Sequence, residues 1–196
     1  GFILHYNHPS WSSESEEDFL PLNHISAMEV YNHNCEIAAN CGDNRAYYDI
    51  ALKHNHKWNC LATDDNHNEE LKEECLDYET DSFGGYIMIN AQNLDYESII
   101  SAIENGEYYS CMGIDAPQIF SLVIEENILK ITCSAVKGIY LKSNCLGCSQ
   151  HKTSQYDNLT TAEFDLANLE WGSHIFRIEL VDSQKRTAFT NPIFFD

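Results

Sequence analysis

Trp58-Asn59-Cys60-Leu61-Ala62-Thr63-Asp64-Asp65-Asn66-His67 is the stretch on which the reading turns. Its first six residues form a short, mainly apolar run that reads as a strand, and two aspartates and a histidine follow at once. In parallel α/β folds, ligands gather in the loops at the carboxyl ends of strands. A strand running into Asp64-Asp65-Asn66-His67 therefore delivers an Asp-x-His pair to that end. Residues i and i+2 of an extended segment share a face, so Asp65 and His67 point the same way.

Upstream, Phe2-Ile3-Leu4-His5-Tyr6 also reads as a strand, and it runs into Asn7-His8-Pro9. Two such strands aim His8, Asp65 and His67 at one end of a sheet. Imidazole nitrogen with carboxylate oxygen is an ordinary ligand set for zinc, manganese or iron. The plainer reading stands beside it. With 9 His in 196 residues, one such pair arises readily by accident, and Asp64-Asp65 can serve simply as a cap. His5, His24, His33, His54, His56, His151 and His174 read as ordinary surface or packing residues.

Around these motifs, β-branched runs alternate with helical patterns. Ala27-Met28-Glu29-Val30-Tyr31 reads as a strand, and Ser12 to Leu20 as a helical segment. Tyr47, Ile50, Ala51 and His54 then fall at helical spacing. Tyr86-Ile87-Met88-Ile89-Asn90 is a further strand. Tyr96, Ile99, Ile100 and Ile103 mark one face of a helix capped by Asn93 or Asp95 and ended by Gly106. Alternation of this kind predicts an α/β fold with a largely parallel sheet over residues 1–112. Beyond Pro117 the pattern becomes strands and turns: Leu129, Ile131 and Cys133 alternate with Lys130 and Thr132, and Phe176, Ile178 and Leu180 with Arg177 and Glu179. About seven short strands, each with one apolar face, predict an antiparallel β-sandwich over residues 113–196.

Composition narrows the function. The 11 Lys and Arg stand against 31 Asp and Glu, a formal charge of −20. No basic patch exists to release counterions from a nucleic-acid backbone or to dock on anionic lipid. Hydrophobic residues at 43% supply a packed core and exclude a disordered chain. No apolar run reaches the roughly 20 residues of a membrane span, and the amino terminus lacks the basic and cleavage features of a signal peptide. The 8 Cys show no framework of spacings and are expected to be mostly reduced, as in a cytoplasmic protein. Cys145-Leu146-Gly147-Cys148 is a single C-x-x-C with no second pair to close a zinc site, so it reads as a loop with two thiols.

Taken in order, Asn7-His8-Pro9-Ser10-Trp11, Met28-Glu29-Val30-Tyr31-Asn32 and Ala62-Thr63-Asp64-Asp65-Asn66-His67 resemble the PHP (polymerase and histidinol phosphatase) metal-dependent phosphoesterases. Gly85-Tyr86-Ile87, then Asn105 to Gly113, and finally Ala188-Phe189-Thr190-Asn191-Pro192 extend the resemblance over almost the whole chain. The resemblance implies a partial β/α barrel followed by a β-sandwich. It also implies that His8, Asp65 and His67 are both metal ligands and catalytic, with Asp64, Glu29 and Asn32 hydrogen-bonding around them. Two or three divalent metals (zinc, manganese or iron) in a complete site would activate a water to attack a small-molecule or nucleotide-like phosphoester.

One departure is large. The family's barrel opens on a His-x-His strand followed by another His and a Glu ligand, and nothing of the kind precedes His8. His54-Asn55-His56 has the spelling but closes a helical pattern. Four strand–helix units are half of what a closed barrel of about 250 residues requires. The expectation is thus the later portion of an active site, completed by a missing amino-terminal half or by a partner chain. The alternative is a non-catalytic binding or scaffold protein derived from such an enzyme.

Overall fold

The computed structural model describes residues 2–67, 80–145, 150–169 and 174–194. The chain divides into two compact units, Gly1–Ile114 and Asp115–Asp196. It is mostly β, with 40% strand against 18% helix, which overturns the expected α/β class and the partial β/α barrel.

Parallel pairing in the first unit extends over three strands, in the order β1 (His5–Tyr6), β2 (Ala27–Asn32) and β3 (Asn59–Thr63). Between them lie helices α1 (Glu16–Phe19), α2 (His33–Ala39) and α3 (Arg45–Lys53). All are short. α1 is a single turn closed by a capping box in which the Ser15 amide donates to Asp18 at 2.7 Å. α3 buries Tyr48, Ala51 and Leu52, and the Tyr48 hydroxyl donates to the Trp58 carbonyl at 2.7 Å, tying that helix to the start of β3.

The barrel expectation breaks at the next unit of the alternation. β4 (Gly85–Ile89) and β5 (Tyr108–Met112) are antiparallel, with Ile89 opposite Tyr108. A parallel crossover must carry the chain back along the full strand. Here residues 90–107, with α4 (Tyr96–Glu104) inside them, leave and re-enter at the same end. The Asp95 carboxylate caps α4 through the Ser98 amide at 2.8 Å. Gly106 (φ 70°) then turns the chain, and the Asn90 amide donates to the Glu107 carbonyl at 2.8 Å to close the base of the excursion. The helix exists where its periodicity places it, but periodicity carries no information on strand direction. Ser110 anchors the hairpin to β3, its hydroxyl donating to the Cys60 carbonyl at 3.1 Å.

The second unit is antiparallel throughout. One sheet has the order β10 (Leu159–Asp165), β7 (Ile128–Val136), β6 (Ile119–Glu125). The other strands, β8 (Gly138–Ser143), β9 (Gln150–Thr153), β11 (Ile175–Val181), β12 (Thr187–Thr190) and β13 (Ile193–Phe194), pair as β9-β8-β11, with both β12 and β13 on β11. Alternation works as the pleat requires: Leu129, Ile131 and Cys133 are buried while Lys130 and Thr132 are exposed. Ile139, Leu141, Phe164, Ile178 and Leu180 complete the apolar interior.

Cys35, Cys41, Cys60, Cys111, Cys133 and Cys145 are free thiols. Cys75 and Cys148 lie outside the described residues, and the C-x-x-C reading with them. Burial pushes Cys35 and Cys111 up to about 12 and Cys133 up to about 11, so all three stay protonated and unreactive near neutrality. Alkylation of the native protein with iodoacetamide at pH 8, mapped by peptide mass spectrometry, should modify Cys145 and then Cys41. Cys35, Cys111 and Cys133 should react only after denaturation. Early labelling of any of these three would contradict the packing described.

Candidate functional site

β1, β2 and β3 run parallel, so their carboxyl ends share one edge, and the chain leaves that edge at Asn7-His8, at Asn32 and at Asp64-Asp65. A buried carboxylate ties the three ends together. Glu29, 2% exposed, accepts the His8 amide at 2.7 Å and the Asn32 carboxamide at 3.1 Å on Oε2. Its Oε1 accepts the Thr63 hydroxyl in a short hydrogen bond. One side chain thus collects a donor from each of the three strand ends.

Glu29 and Asn32 would face opposite sides of an unbroken strand, because side chains alternate with period two. The pairing with β3 slips between Glu29 and Tyr31, so that Glu29 stands opposite Leu61 and Tyr31 opposite Ala62. The extra residue, Val30, is a bulge that brings the carboxylate and the carboxamide to the same side. Asn32 is fully buried and spends all its polar atoms. Its Oδ1 accepts the Cys35 amide at 2.8 Å as the cap of α2, and its Nδ2 donates to both Glu29 and Asp65 Oδ2, each at 3.1 Å.

The loop after β3 is held from several sides. Asp64 accepts the Phe83 amide at 2.6 Å and the Gly85 amide at 2.8 Å, and its carbonyl takes the Asn34 amide at 3.0 Å. Asp81, 7% exposed, accepts the His67 amide at 2.8 Å and the Asn66 side chain at 3.3 Å. The His67 ring meets the Asn34 carboxamide through Nδ1 at 3.1 Å, and the His8 ring meets the Ser12 hydroxyl through Nδ1 at 3.0 Å. Both His8 (φ 33°) and Asp65 (φ 50°) sit in the left-handed region, a conformation that costs free energy and persists where surrounding contacts over-determine it.

The three expected ligands stand as follows. His8 and Asp65 are linked through Glu29 and Asn32, while His67 is held by Asn34 and Asp81. Among the described residues, no group of three or more His, Cys, Asp and Glu side chains is gathered closely enough to hold a metal ion. Each of the three nevertheless has one atom occupied by a neutral neighbour and one with no partner among the described residues: His8 Nε2, Asp65 Oδ1 and His67 Nε2. The local field is negative. Burial is the main reason the Cys35 thiol is raised, and the charges of Cys41, Glu29 and Asp65 push in the same direction.

Asp81 carries no local sequence signal, since it lies 14 residues beyond the His67 amide that it accepts. Among the other histidines, His56 packs against Trp58 in a tilted arrangement with ring centroids 4.3 Å apart, and burial lowers its pKa. His5, His24, His54, His151 and His174 are exposed. No helix among the described residues is long and apolar enough to cross a membrane. Comparison of the chain with known family models, curated proteins and solved structures finds no match.

Replacing Glu29 by Gln keeps the shape but sets an NH2 group against donors it cannot accept. Glu29→Gln should therefore cost about 1–3 kcal/mol of stability, read from urea unfolding. Thr63→Val, which leaves Oε1 without its hydroxyl, should fall in the same range. If neither variant moved the unfolding midpoint, this carboxylate would not be what ties the strand ends.

Proposed function

We propose that this chain carries part of the active site of a metal-dependent phosphoesterase, with His8, Asp65 and His67 as its metal donors. The observation that carries this reading is the pattern just described. The three side chains leave the carboxyl ends of parallel strands, each fixed on one side by Ser12, Asn32 or Asn34, with an atom unpartnered among the described residues on the other. Ligating imidazoles and carboxylates are typically oriented in this way by a hydrogen bond to their second atom. The carboxylates add to it. Glu29, Asp64, Asp65 and Asp81 are held by amides and hydroxyls, and none pairs with Lys or Arg among the described residues. Their charge is thus left for a cation to balance.

Two imidazoles and one carboxylate fit zinc, manganese or iron in chemistry, but three donors are fewer than a closed zinc site needs. The remaining ligands would come from outside the described residues. A divalent metal bound there supplies a water of lowered pKa and a charge that steadies the phosphoryl oxygens. The residues of this chain do the positioning. Asn32 keeps the Asp65 carboxylate from rotating, Ser12 and Asn34 set the two imidazole planes, and Glu29 holds the His8 backbone in its left-handed turn. The Ser12 hydroxyl can accept a proton from His8 Nδ1, which leaves Nε2 of that ring for a metal. The Asn34 NH2 at His67 Nδ1 instead puts that ring's proton on Nε2 until the carboxamide turns to present its oxygen.

The test is a titration of Zn²⁺ or Mn²⁺ followed by the imidazole nitrogen resonances. His8 and His67 should shift at Nε2 while the other histidines stay still, and binding should be weak because the donor set is short of four. Asp65→Asn should weaken it by about tenfold or more. In the assembly that completes the ligand set, the same variant should lower p-nitrophenyl phosphate hydrolysis by several orders of magnitude with the fold intact. The losses from His8→Ala and His67→Ala should be non-additive, since the ligands act as a unit. Metal titration that leaves both histidines unmoved would favour a non-catalytic binding or scaffold role.

A further inference from the structure

His33 sits at the start of α2 and is 5% exposed. Its ring bridges two elements. Nε2 lies 3.0 Å from the Thr80 carbonyl, and Nδ1 lies 2.9 Å from the Tyr31 hydroxyl. A carbonyl oxygen can only accept, so Nε2 carries the proton; Nδ1 is then the acceptor and the Tyr31 hydroxyl the donor. Held at both nitrogens, the ring is a strut from the end of β2 to Thr80. Gly84 closes the other side. A Cβ built there would overlap the imidazole, so the ring and the 80–85 segment fit only with glycine at that position.

The 80–85 segment is what holds the loop bearing Asp65 and His67. Asp81 accepts the Asn66 side chain and the His67 amide, and the Phe83 and Gly85 amides occupy both oxygens of Asp64. We infer that His33 is a positioning residue, which fixes residues 80–85 and, through Asp81 and Asp64, sets the backbone of Asp64 to His67. It touches neither candidate ligand and acts through the segment it pins. Where the consequence is metal affinity, the inference rests on the phosphoesterase reading. Where it is the order of the loop, it stands alone.

Amide hydrogen exchange on the whole chain tests the loop directly. In His33→Leu, the amides of His67, Phe83 and Gly85 should exchange at least about tenfold faster, while those of Leu141 and Ile178 in the second unit and of Tyr48 in α3 keep their protection. His33→Gln retains an N–H for the Thr80 carbonyl and should restore most of it. Tyr31→Phe removes one oxygen and leaves Nδ1 unpaired, so it should accelerate the same three amides by less; it carries the test if His33→Leu fails to fold. Unchanged exchange at these amides, or a uniform acceleration across the chain, would overturn the inference and leave His33 as a packing residue. In a parallel arm, Zn²⁺ alone is titrated. Its affinity should fall about 10–100-fold in His33→Leu and recover in His33→Gln. Should the unmodified protein bind no Zn²⁺, the phosphoesterase reading fails while the exchange data still decide the role of His33.

Discussion

A carboxylate withdrawn from water is tolerable only when its charge is met by well-placed donors, and Glu29 is the side chain on which this demand falls. No cation meets it among the described residues. Three neutral donors do so instead, the His8 amide, the Asn32 carboxamide and the Thr63 hydroxyl. Each comes from a different strand end, so satisfying one charge specifies the relative position of three loops. Hydrogen bonds to a charged acceptor are worth about 1.5–3 kcal/mol each, and losing any of them leaves part of the charge exposed to an apolar interior. The arrangement fixes the geometry of this edge through one charge.

The next three residues extend that specification outward. Asn32 is the extended N-cap of α2, and His33 and Asn34 are its first two helical residues, which point about 100° apart. Asn32 reaches Asp65, His33 reaches Thr80 and Asn34 reaches His67, each at 3.0–3.1 Å. One helical turn fans out to three separate pieces of the loop system. The cap that starts the helix, Asn32 to the Cys35 amide, belongs to the same residue that orients Asp65. One side chain therefore both caps the helix and holds that carboxylate.

Much of this was legible as local pattern. The apolar run before Asp64, the helical spacing from Tyr47 to His54, the Asp95 cap and the Gly106 turn all correspond to elements that exist. What failed was direction. An apolar β-branched run such as Tyr86 to Ile89 reads alike whether its neighbour runs parallel or antiparallel, and the helix between β4 and β5 suggested a crossover. The closure at Asn90 and Glu107, which returns the chain to the end it left, is a backbone hydrogen bond with no residue signature. At the site, Glu29 and Asn32 were visible as polar residues beside a strand, but their convergence depends on the bulge at Val30. Period-two reading sends them to opposite faces. Asp81 and His33 act through backbone atoms 14 and 47 residues away, and no local window contains both partners.

The composition acquires a more specific meaning at this edge. A chain with 31 acidic and 11 basic residues has cations to spend on few of its carboxylates. Among the described residues, Arg186 pairs with Asp182, Arg45 with Asp43, Lys130 with Glu125, and Arg177 and Lys142 with Glu179. Among the described residues, Glu29, Asp64, Asp65 and Asp81 receive amides and hydroxyls and no Lys or Arg. Neutral donors orient a carboxylate without cancelling its charge. An arginine in place of Asn32 could pair with Asp65 but would offer no acceptor to the Cys35 amide, so the cap of α2 would be lost. Asparagine at 32 and 34 and serine at 12 hold Asp65, His67 and His8 by neutral hydrogen bonds, which leaves the carboxylate charge without a cation among the described residues.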